Sequence, residues 1–252
     1  MDNFLVFDWK GFFAHFRQFE SNSSSLSYTF PPPTAISGML AGLTGIQKDK
    51  YYSIYLPDKI RFGVQILADP KKIMQTCNYI YAKSPGDLNM SGDNLHTQIP
   101  VELVVSSSFP NDVLHYRIFL KISDDNLYDS LYKTITNYSF QYLPYLGSAP
   151  FTSWLEWPGD LKLLDKLEGN IISDTTVNLN LIDKKSTSLE KIDDKPPAFF
   201  VEHMRYYFKE NREPGQIVDV IWERNRQKIK SSFNEPVFKF QLEKQVINVS
   251  FI

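Results

Sequence analysis

The stretch VLHYRIFLKI, residues 113–122, alternates between two kinds of side chain and is the clearest strand in the sequence. Leucine, tyrosine and isoleucine occupy the even-numbered positions, while histidine, arginine and lysine share the odd-numbered ones with valine and phenylalanine. Successive side chains of a strand point to opposite faces, so one face is apolar and the other is basic and aromatic. Such a mixed face is typical of sheets that read RNA, and an ordinary solvated sheet surface is an equal alternative.

Before this strand, residues 4–19 alternate as a strand interrupted at Gly11. The prolines at 31–33 precede a helix predicted over about 35–46, with Thr34 as its N-cap. The segments RFGVQILA (61–68) and IMQTCNYIYA (73–82) are interpreted as the two strands of a hairpin. The polar segment 83–98 that follows is a long loop or a protruding hairpin tip.

After the strand, Leu127, Leu131 and Ile135 predict a helix over 124–138, capped near Ser123. The order strand, helix, two strands with an excursion, strand, helix, strand matches an α+β, ferredoxin-like βαββαβ plan with an inserted hairpin.

The remaining chain favours strands. TTVNLNLI (175–182) alternates, VEHMRYYFKE and QIVDVIWE are predicted to pair about Glu213-Pro214-Gly215, and VFKFQLEKQVINVSFI closes the chain with one or two strands. The run RNRQKIK (224–230) holds four basic residues and no acid, and RNA, target DNA and an acidic protein face all remain open as its partner.

The composition narrows the function classes. The formal net charge is −2, whereas a protein that grips nucleic acid alone usually carries a basic excess, so any such binding is local and shared with partner chains. The single cysteine, Cys77, excludes a disulfide framework, and the four scattered histidines favour no metal site. We find no cofactor-binding motif, no apolar run of membrane-spanning length and no secretion signal, and we expect a cytoplasmic protein.

The predicted first helix has two different sides. Ile36, Met39, Leu40 and Leu43 form an apolar stripe, and the small residues lie on roughly the opposite side, at Gly38, Ala41, Gly42 and Gly45. Glycine inside a helix costs about 1 kcal/mol relative to alanine, so two interior glycines need a reason. Close packing of a neighbouring element and close approach of a ligand are equal alternatives.

Three segments resemble the fifth Cas protein family, subunits of type I CRISPR Cascade complexes. GFFAHFRQFESNSSSLSYTFPPPTAISGMLAGLTGI (11–46) looks like the opening signature of the family, HTQIPVELVV (96–105) resembles the return of its protruding thumb, and YLPYLGSAPFTSW (142–154) resembles its Tyr-Leu-Gly element. The details are most similar to the type I-B branch. The resemblance covers most of residues 11–154.

The resemblance implies a ferredoxin-like, RRM-like (RAMP) domain over residues 1–158, with a β-hairpin thumb at about 78–110. Residues 159–252 are then a β-rich C-terminal extension of the same globule. It further implies a non-catalytic subunit that caps one end of the complex and binds the 5′ handle of the CRISPR RNA. Its partners would be the backbone subunit and the large subunit, with target DNA contacted indirectly through the complex.

The alternative function is metal-independent cleavage of CRISPR repeat RNA. Such chemistry needs a base for the 2′-OH and an acid for the leaving oxygen, and His15, Tyr28, His96 and His115 are candidates by residue type. One branch of the family, from type I-C, cleaves with a tyrosine and an adjacent Lys-His pair. This sequence has no Lys-His dipeptide, which favours the non-catalytic alternative.

Side chains that suit phosphate, ribose or base contacts in these segments are predicted to bind the RNA. They are His15, Phe16, Arg17, Ser25, Ser27, Tyr28, Phe30, Thr34, Ser37, Gly38, Gly42, Lys83, His96, Thr97, Gln98, Arg117 and Tyr145. In this hypothesis Arg17 pairs with phosphate, Tyr28 or Phe30 stacks on a base, and the glycines let the RNA backbone come close. Arg117, with Lys121, contributes from the outer face of the sheet.

Overall fold

The computed structural model of the chain describes residues 2–21, 24–80, 84–85, 96–183 and 196–252. Within these residues the helices are α1 (Pro33–Thr44) and α2 (Asp125–Thr136), with 3₁₀ turns at Leu179–Leu181 and Glu210–Arg212. The strands are β1 (Asn3–Gly11), β2 (Phe16–Arg17), β3 (Ser27–Tyr28), β4 (Ile60–Ile66), β5 (Pro70–Ile80), β6 (His96–Ser106), β7 (Leu114–Ile122), β8 (Ser153–Glu156), β9 (Leu161–Ser173), β10 (Val177–Asn178), β11 (Phe199–Arg205), β12 (Ile217–Glu223), β13 (Ile229–Leu242) and β14 (Gln245–Val249).

A four-stranded antiparallel sheet in the order β4-β7-β1-β8 forms the centre of the fold. Helix α1 follows β1 and helix α2 follows β7, so the chain has the βαββαβ connectivity predicted from its sequence. The predicted strand at 113–122 becomes β7, an interior strand that pairs with β1 on one side and β4 on the other. The α+β, ferredoxin-like fold class is therefore confirmed.

The apolar face of β7 lies under the helices, as its alternation predicts. Tyr116 and Ile118 are fully buried in one cluster with Phe7, with Leu40 of α1 and with Leu131 of α2. Burial of this kind contributes roughly 25 cal/mol for each Å² of apolar surface removed from water.

The opposite face of the sheet is covered as well, which corrects the expectation of an open RNA-reading surface. Phe119 packs against Phe238 and Phe240 of β13, which pairs with β14 and β9 over this face. Arg117 donates from Nε and Nη2 to the two carboxylate oxygens of Asp8, at 2.7 and 2.9 Å. This bidentate pairing uses two of the five guanidinium donors inside the protein and argues against the RNA contact of Arg117, which stays a prediction.

Lys121, predicted beside Arg117 on the outer face, is occupied in the same way. Its ammonium nitrogen lies 3.2 Å from a carboxylate oxygen of Asp2 and 5.1 Å from the centroid of the Phe238 ring. The extension therefore turns this face of the sheet into an interior layer.

The helix ends differ slightly from the predicted ones. Helix α1 begins at Pro33 with Pro32 as its N-cap, so Thr34 lies inside the first turn and is not the cap. A proline suits the first helical position because it has no N–H to leave unsatisfied and its φ is already helical. At the other end Gly45 adopts φ 75° and closes α1 with hydrogen bonds to Ala41 and Gly42. Asp124, next to the predicted Ser123, caps α2 through the amide N–H of Leu127.

The predicted hairpin of 61–68 with 73–82 is wrong. Strand β4 pairs with β7 in the central sheet, and β5 pairs with β6 from Pro70↔Ser106 to Ile80↔His96. Segments adjacent in sequence were expected to pair, but the apolar β4 is buried in the sheet while β5 is largely exposed. The inserted hairpin thus begins at Pro70 and not near residue 78. Lys83, predicted to bind RNA, lies outside the described residues.

The C-terminal strands form two further sheets, in the orders β10-β12-β11 and β14-β13-β9. The predicted pair β11–β12 is confirmed, and the one or two strands predicted at the end of the chain are β13 and β14, which pair with each other. The strand predicted over 175–182 ends at Asn178 and continues as a 3₁₀ turn, and β9 has no counterpart among the predicted elements. The division into 1–158 and 159–252 stays a prediction, because packing contacts do not report independent folding.

The described part of the chain contains no helix that is both long and apolar enough to cross a membrane.

The loop after α2 fixes the chain that follows β1. Leu146 accepts a hydrogen bond from the amide N–H of His15 at 3.0 Å, which brings the predicted Tyr-Leu-Gly element against the start of β2. Gly147 makes this approach possible: its φ is 85°, and a Cβ there would overlap the His15 carbonyl oxygen and lie 2.7 Å from its carbonyl carbon.

Gly147→Ala is therefore expected to lower the free energy of unfolding by about 3 kcal/mol, from left-handed backbone strain and steric overlap together. Gly169→Ala is the matched control, because Gly169 has φ 87° but a Cβ added there would have no atom within 4 Å. That variant should lose only about 1 kcal/mol, the strain alone. Denaturant unfolding of both variants measures the difference, and equal losses would contradict the close approach at His15.

Candidate nucleic-acid interface

The three segments that carry the family resemblance meet at residues 14 and 15. Ala14 exchanges backbone hydrogen bonds with Val104 of β6, at 2.9 and 2.8 Å, and the amide of His15 reaches Leu146. The His15 ring adds two side-chain contacts, from Nδ1 to the carbonyl oxygen of Glu102 at 2.8 Å and from Nε2 to the Ser25 hydroxyl at 2.9 Å. The chain leading to α1, the thumb and the Tyr-Leu-Gly loop are thereby held in one place.

His15 is occupied in this arrangement. A carbonyl oxygen only accepts, so Nδ1 donates to Glu102, and in the neutral ring Nε2 accepts from Ser25. Burial lowers the pKa of His15 and the nearby Arg17 lowers it further, while the contacts with Glu102 raise it. Both ring nitrogens are used inside the protein and the ring is buried, which argues against a role of His15 at a phosphate; that role stays a prediction.

The Ser27 side chain and backbone are also used internally. The fully buried Ser27 hydroxyl donates to the carbonyl oxygen of Tyr28 and accepts from the amide of Phe16. The Ser27 carbonyl oxygen accepts a hydrogen bond from the Lys72 ammonium, and the Ser27 amide N–H donates to the Glu102 carboxylate. Ser37 likewise donates its hydroxyl to Pro33, inside α1. Both hydroxyls thus donate inside the protein, and their predicted donation to RNA stays a prediction.

Three aromatic residues that were predicted to contact RNA belong to the hydrophobic core. Phe16 and Tyr28 are buried in the cluster beneath α1, and Phe30 packs edge-on against Trp222 of β12. The Tyr28 hydroxyl donates to the carbonyl oxygen of His203, and burial raises the pKa of Tyr28 to about 12. Both rings are buried, which argues against the prediction that Tyr28 or Phe30 stacks on a base.

A buried carboxylate joins this region to the C-terminal strands. Glu202 of β11 accepts from both the amide and the hydroxyl of Thr29, and Lys72 of β5 lies 3.9 Å away. Burial raises the pKa of Glu202, while the hydrogen bonds from Thr29 and the charge of Lys72 oppose that rise. The chain between β3 and α1 is thus positioned by charges from the thumb and from the extension.

Other predicted residues remain accessible but do not all lie together. Arg17 is exposed, and its guanidinium has no hydrogen-bond or ion-pair partner among the described residues. His96, Thr97 and Gln98 lie at the distal end of the thumb, with His96 opposite Ile80. At about 3.4 Å per residue, His96 is roughly 27 Å along the strand from Val104, where β6 meets residue 14.

The small-residue side of α1 faces a groove of about 660 Å³. Gly38, Gly42 and Gly45 line one wall, and Tyr145, also predicted from the sequence, stands on the Tyr-Leu-Gly loop beside them. The other aromatic and basic groups of the groove were not predicted, and they are Tyr51, Tyr52, Tyr142, Lys48 and Arg212. Tyr142 belongs to a segment singled out in the sequence, whereas nothing in the sequence places Arg212 near α1.

The glycines are not explained by packing inside the chain. A Cβ on Gly42 would have no atom within 4 Å, and a Cβ on Gly38 would meet only Tyr51, with its hydroxyl oxygen at 3.4 Å. The alternative that these glycines admit a neighbouring element is therefore wrong for Gly42 among the described residues. The helix keeps a smooth, open face at the glycine positions.

The groove combines this open face with exposed rings. The side chains of Tyr142 and Tyr145 are 64% and 46% exposed, so their faces are available for stacking. Arg212 adds a cation, with Nε 3.7 Å from a carboxylate oxygen of Asp49. Within the described ranges there is no group of three or more His, Cys, Asp or Glu side chains that could hold a metal ion.

A family model described as CRISPR-associated protein (Cas_Cas5) matches residues 4–249. The chain belongs to this family. No curated protein matches the sequence significantly.

Solved structures share the fold of this Cas_Cas5 family member. A chain of a CRISPR RNA-guided surveillance complex has a TM-score of 0.54 and 7% identity, over 90% of this chain and 91% of that chain. A CRISPR protein from Archaeoglobus fulgidus has a TM-score of 0.53 and 15% identity, over 99% of both chains. A chain of the Type III-B Cmr-beta complex bound to cognate target RNA and AMPPnP has a TM-score of 0.50 and 12% identity, over 89% and 86%. At these identities the likeness shows the fold.

The open glycine face of this family member predicts a gain in stability on substitution. Gly42→Ala should raise the free energy of unfolding by about 1 kcal/mol, because alanine has the higher helix propensity and its methyl group meets nothing. Chemical denaturation measures the change. A loss of stability would show that the helix face is packed against other parts of the chain.

Glu202 predicts a pH dependence of stability. Because its pKa is raised above the ordinary value of 4.5, the folded chain binds the proton more tightly than the unfolded chain. The stability of the wild type relative to Glu202→Gln should therefore increase as the pH falls from neutral towards 4.5, and level off below that value. Urea unfolding across this range tests the sign, and a constant or shrinking difference would contradict it.

Proposed function

We propose that this chain is a non-catalytic subunit of a type I CRISPR Cascade surveillance complex and binds the 5′ handle of the CRISPR RNA in the groove beside α1. The observation that carries the proposal is the helix face without side chains, which is open to solvent and not needed for packing. Membership of the Cas_Cas5 family supports it, as does the likeness to a chain of an RNA-guided surveillance complex.

The groove suits a bent single strand of RNA. Two glycines without Cβ atoms allow the sugar-phosphate chain to approach the backbone of α1 more closely than any other residue type permits. Tyr142 and Tyr145 offer rings on which bases stack, and each such contact is worth about 1–3 kcal/mol. Arg212 and Lys48 supply positive charge at the same groove.

The charge balance favours a shared grip on the RNA. With a net charge of −2, the chain lacks the general basic surface of a protein that binds nucleic acid alone. We infer that the backbone subunit and the large subunit hold the rest of the RNA, and that target DNA is contacted through the assembled complex. The type I-B branch and the cytoplasmic location remain predictions.

The positions of the four catalytic candidates support a non-catalytic subunit. His15 and Tyr28 are buried with their polar atoms bonded to the protein. His115 lies 3.0 Å from Asp8 at the covered face of the sheet, and His96 is at the distal end of the thumb. General acid–base cleavage needs two such groups at one phosphate.

Incubation of the purified full chain with labelled CRISPR repeat RNA in EDTA tests both parts of the proposal. Gly42→Leu places a side chain in the groove at a position where an added Cβ meets no atom within 4 Å, and we expect it to weaken RNA binding by about tenfold, equivalent to 1.4 kcal/mol. Arg17→Ala should weaken binding through loss of a phosphate contact, more so at low salt. The length of the RNA should stay unchanged in every sample.

Ser130→Leu is the matched control, because it places the same side chain on an exposed position of α2, away from the groove. Equal affinity of Gly42→Leu and Ser130→Leu would rule out the groove as the RNA site. Cleavage of the RNA in EDTA, abolished by Tyr28→Phe or His15→Ala, would instead establish the endoribonuclease.

A further inference from the structure

A small cavity of about 140 Å³ lies between the central sheet and the strands that cover its outer face. Its walls include residues of β4 and β7 from the central sheet, of β9 and β13 from the covering sheet, and of the chain after β14. It shares no lining residue with the groove beside α1. A ligand of this cavity therefore occupies a site of its own.

The cavity collects positive charge from both layers. Among the described residues that line it, three are cations and one is a carboxylate, and they are Arg61, Lys121, Lys166 and Glu235. Arg61 and Lys121 stand directly opposite each other on neighbouring strands of the central sheet, and Lys166 belongs to β9 of the covering sheet. Like charges directly opposite each other on a sheet are destabilising, so this arrangement calls for an anion.

Two of the three cations have an acidic partner inside the protein. Arg61 donates from Nη1 to the Glu235 carboxylate at 2.5 Å, and the Lys121 ammonium nitrogen lies 3.2 Å from a carboxylate oxygen of Asp2. Each pairing uses only part of the donor capacity, because a guanidinium has five N–H donors and an ammonium has three.

Lys166 supplies the uncompensated charge. Its ammonium forms no ion pair within the described part of the chain. Asp165, its neighbour in β9, accepts from the backbone amide of Lys166 at 2.8 Å and does not line the cavity. The ammonium groups of Lys166 and Lys121 lie 5.5 and 5.1 Å from the centroid of the Phe238 ring, which forms part of the same wall. The ring attracts both cations but cancels neither charge.

The Ser250 hydroxyl is a second, independent sign of a ligand. Ser250 lines the cavity and is only 3% exposed, yet its hydroxyl makes no hydrogen bond to any described residue. This oxygen is not among the buried atoms that solvent cannot reach, so it borders open space. The backbone N–H and C=O of Ser250 are both bonded to Thr175, which leaves the hydroxyl as the group that a ligand can meet. A buried hydroxyl without a partner is uncommon in a native protein.

These donors suit a tetrahedral oxyanion. They come from the central sheet, from the covering sheet and from the chain after β14, which matches the several directions in which phosphate oxygens point. A planar carboxylate offers only two oxygens. At about 30 Å³ for each water molecule, the cavity has the volume of roughly five waters, and a phosphate group has five non-hydrogen atoms. The cavity therefore holds a phosphate group but not a nucleoside as well.

We propose that this cavity binds a phosphate group, either as free orthophosphate or as the terminal phosphate of a nucleotide whose remainder stays outside. Lys166 provides the charge, Ser250 donates its hydroxyl, and Arg61 and Lys121 contribute their remaining donors. The bound anion joins β4 and β7 to β9 and so strengthens the covering of the sheet. This site does not depend on the RNA groove of the proposed function.

Lys166→Gln tests the charge, and Ser250→Ala tests the hydroxyl. Each substitution should weaken the binding of orthophosphate by about tenfold, because one hydrogen bond to a charged group is lost. Neither side chain makes a hydrogen bond in the described structure, so both variants keep the internal bonds of the fold. Lys162→Gln is the matched control, because it makes the same change at an exposed position of β9 that does not line the cavity. The affinity of that variant should stay constant at the same ionic strength.

Isothermal titration calorimetry on the full chain, at constant ionic strength, measures the binding of orthophosphate and of adenosine 5′-monophosphate. Tighter binding of the monophosphate identifies a nucleotide as the source of the phosphate group, and equal or tighter binding of orthophosphate identifies the free ion. Absence of saturable binding with both probes, an affinity unchanged in Lys166→Gln or in Ser250→Ala, or an equal loss in Lys162→Gln overturns the proposal. Each of these results is independent of whether the groove beside α1 binds RNA.

Discussion

The backbone hydrogen bonds of residues 14 and 15 are the contacts on which the candidate interface depends. They join the chain after β1 to the thumb strand β6 on one side and to the loop before β8 on the other. Each donor or acceptor left unmade in such a buried place would cost about 1–3 kcal/mol, so the three segments are held in a single arrangement. The groove exists because this arrangement sets the Tyr-Leu-Gly loop beside the glycine side of α1.

The polar side chains around this junction bond to other segments of the protein. His15, Ser27 and Glu102 are bonded to each other's chain segments, and Glu202 draws β11 of the extension onto Thr29. Residues of this kind look like a binding site in a sequence, since histidine, serine and glutamate are also groups that contact RNA. Their hydrogen-bonding capacity is used inside the protein, so the proposed RNA contacts rest on backbone approach and exposed rings.

The extension decides which surface is open. A ferredoxin-like sheet with basic and aromatic residues on its outer face favours RNA binding at that face, as β7 indicated. Here β13 and β14 cover the face with phenylalanine side chains, and Asp8 neutralises Arg117. The open surface consequently moves to the helix side, and a small cavity remains between the sheet and the strands that cover it.

The local pattern of the sequence determined the central strands, both helices and the pairing of β11 with β12, because alternation and helical spacing record which side of an element is buried. It also determined that α1 has a side without side chains. Only the tertiary structure decided that β4 pairs with β7 and not with β5, that the predicted rings at 16, 28 and 30 are core, and that Arg212 reaches the groove. These outcomes depend on contacts between residues far apart in the chain. A short stretch of sequence does not encode which face of an element another element will cover.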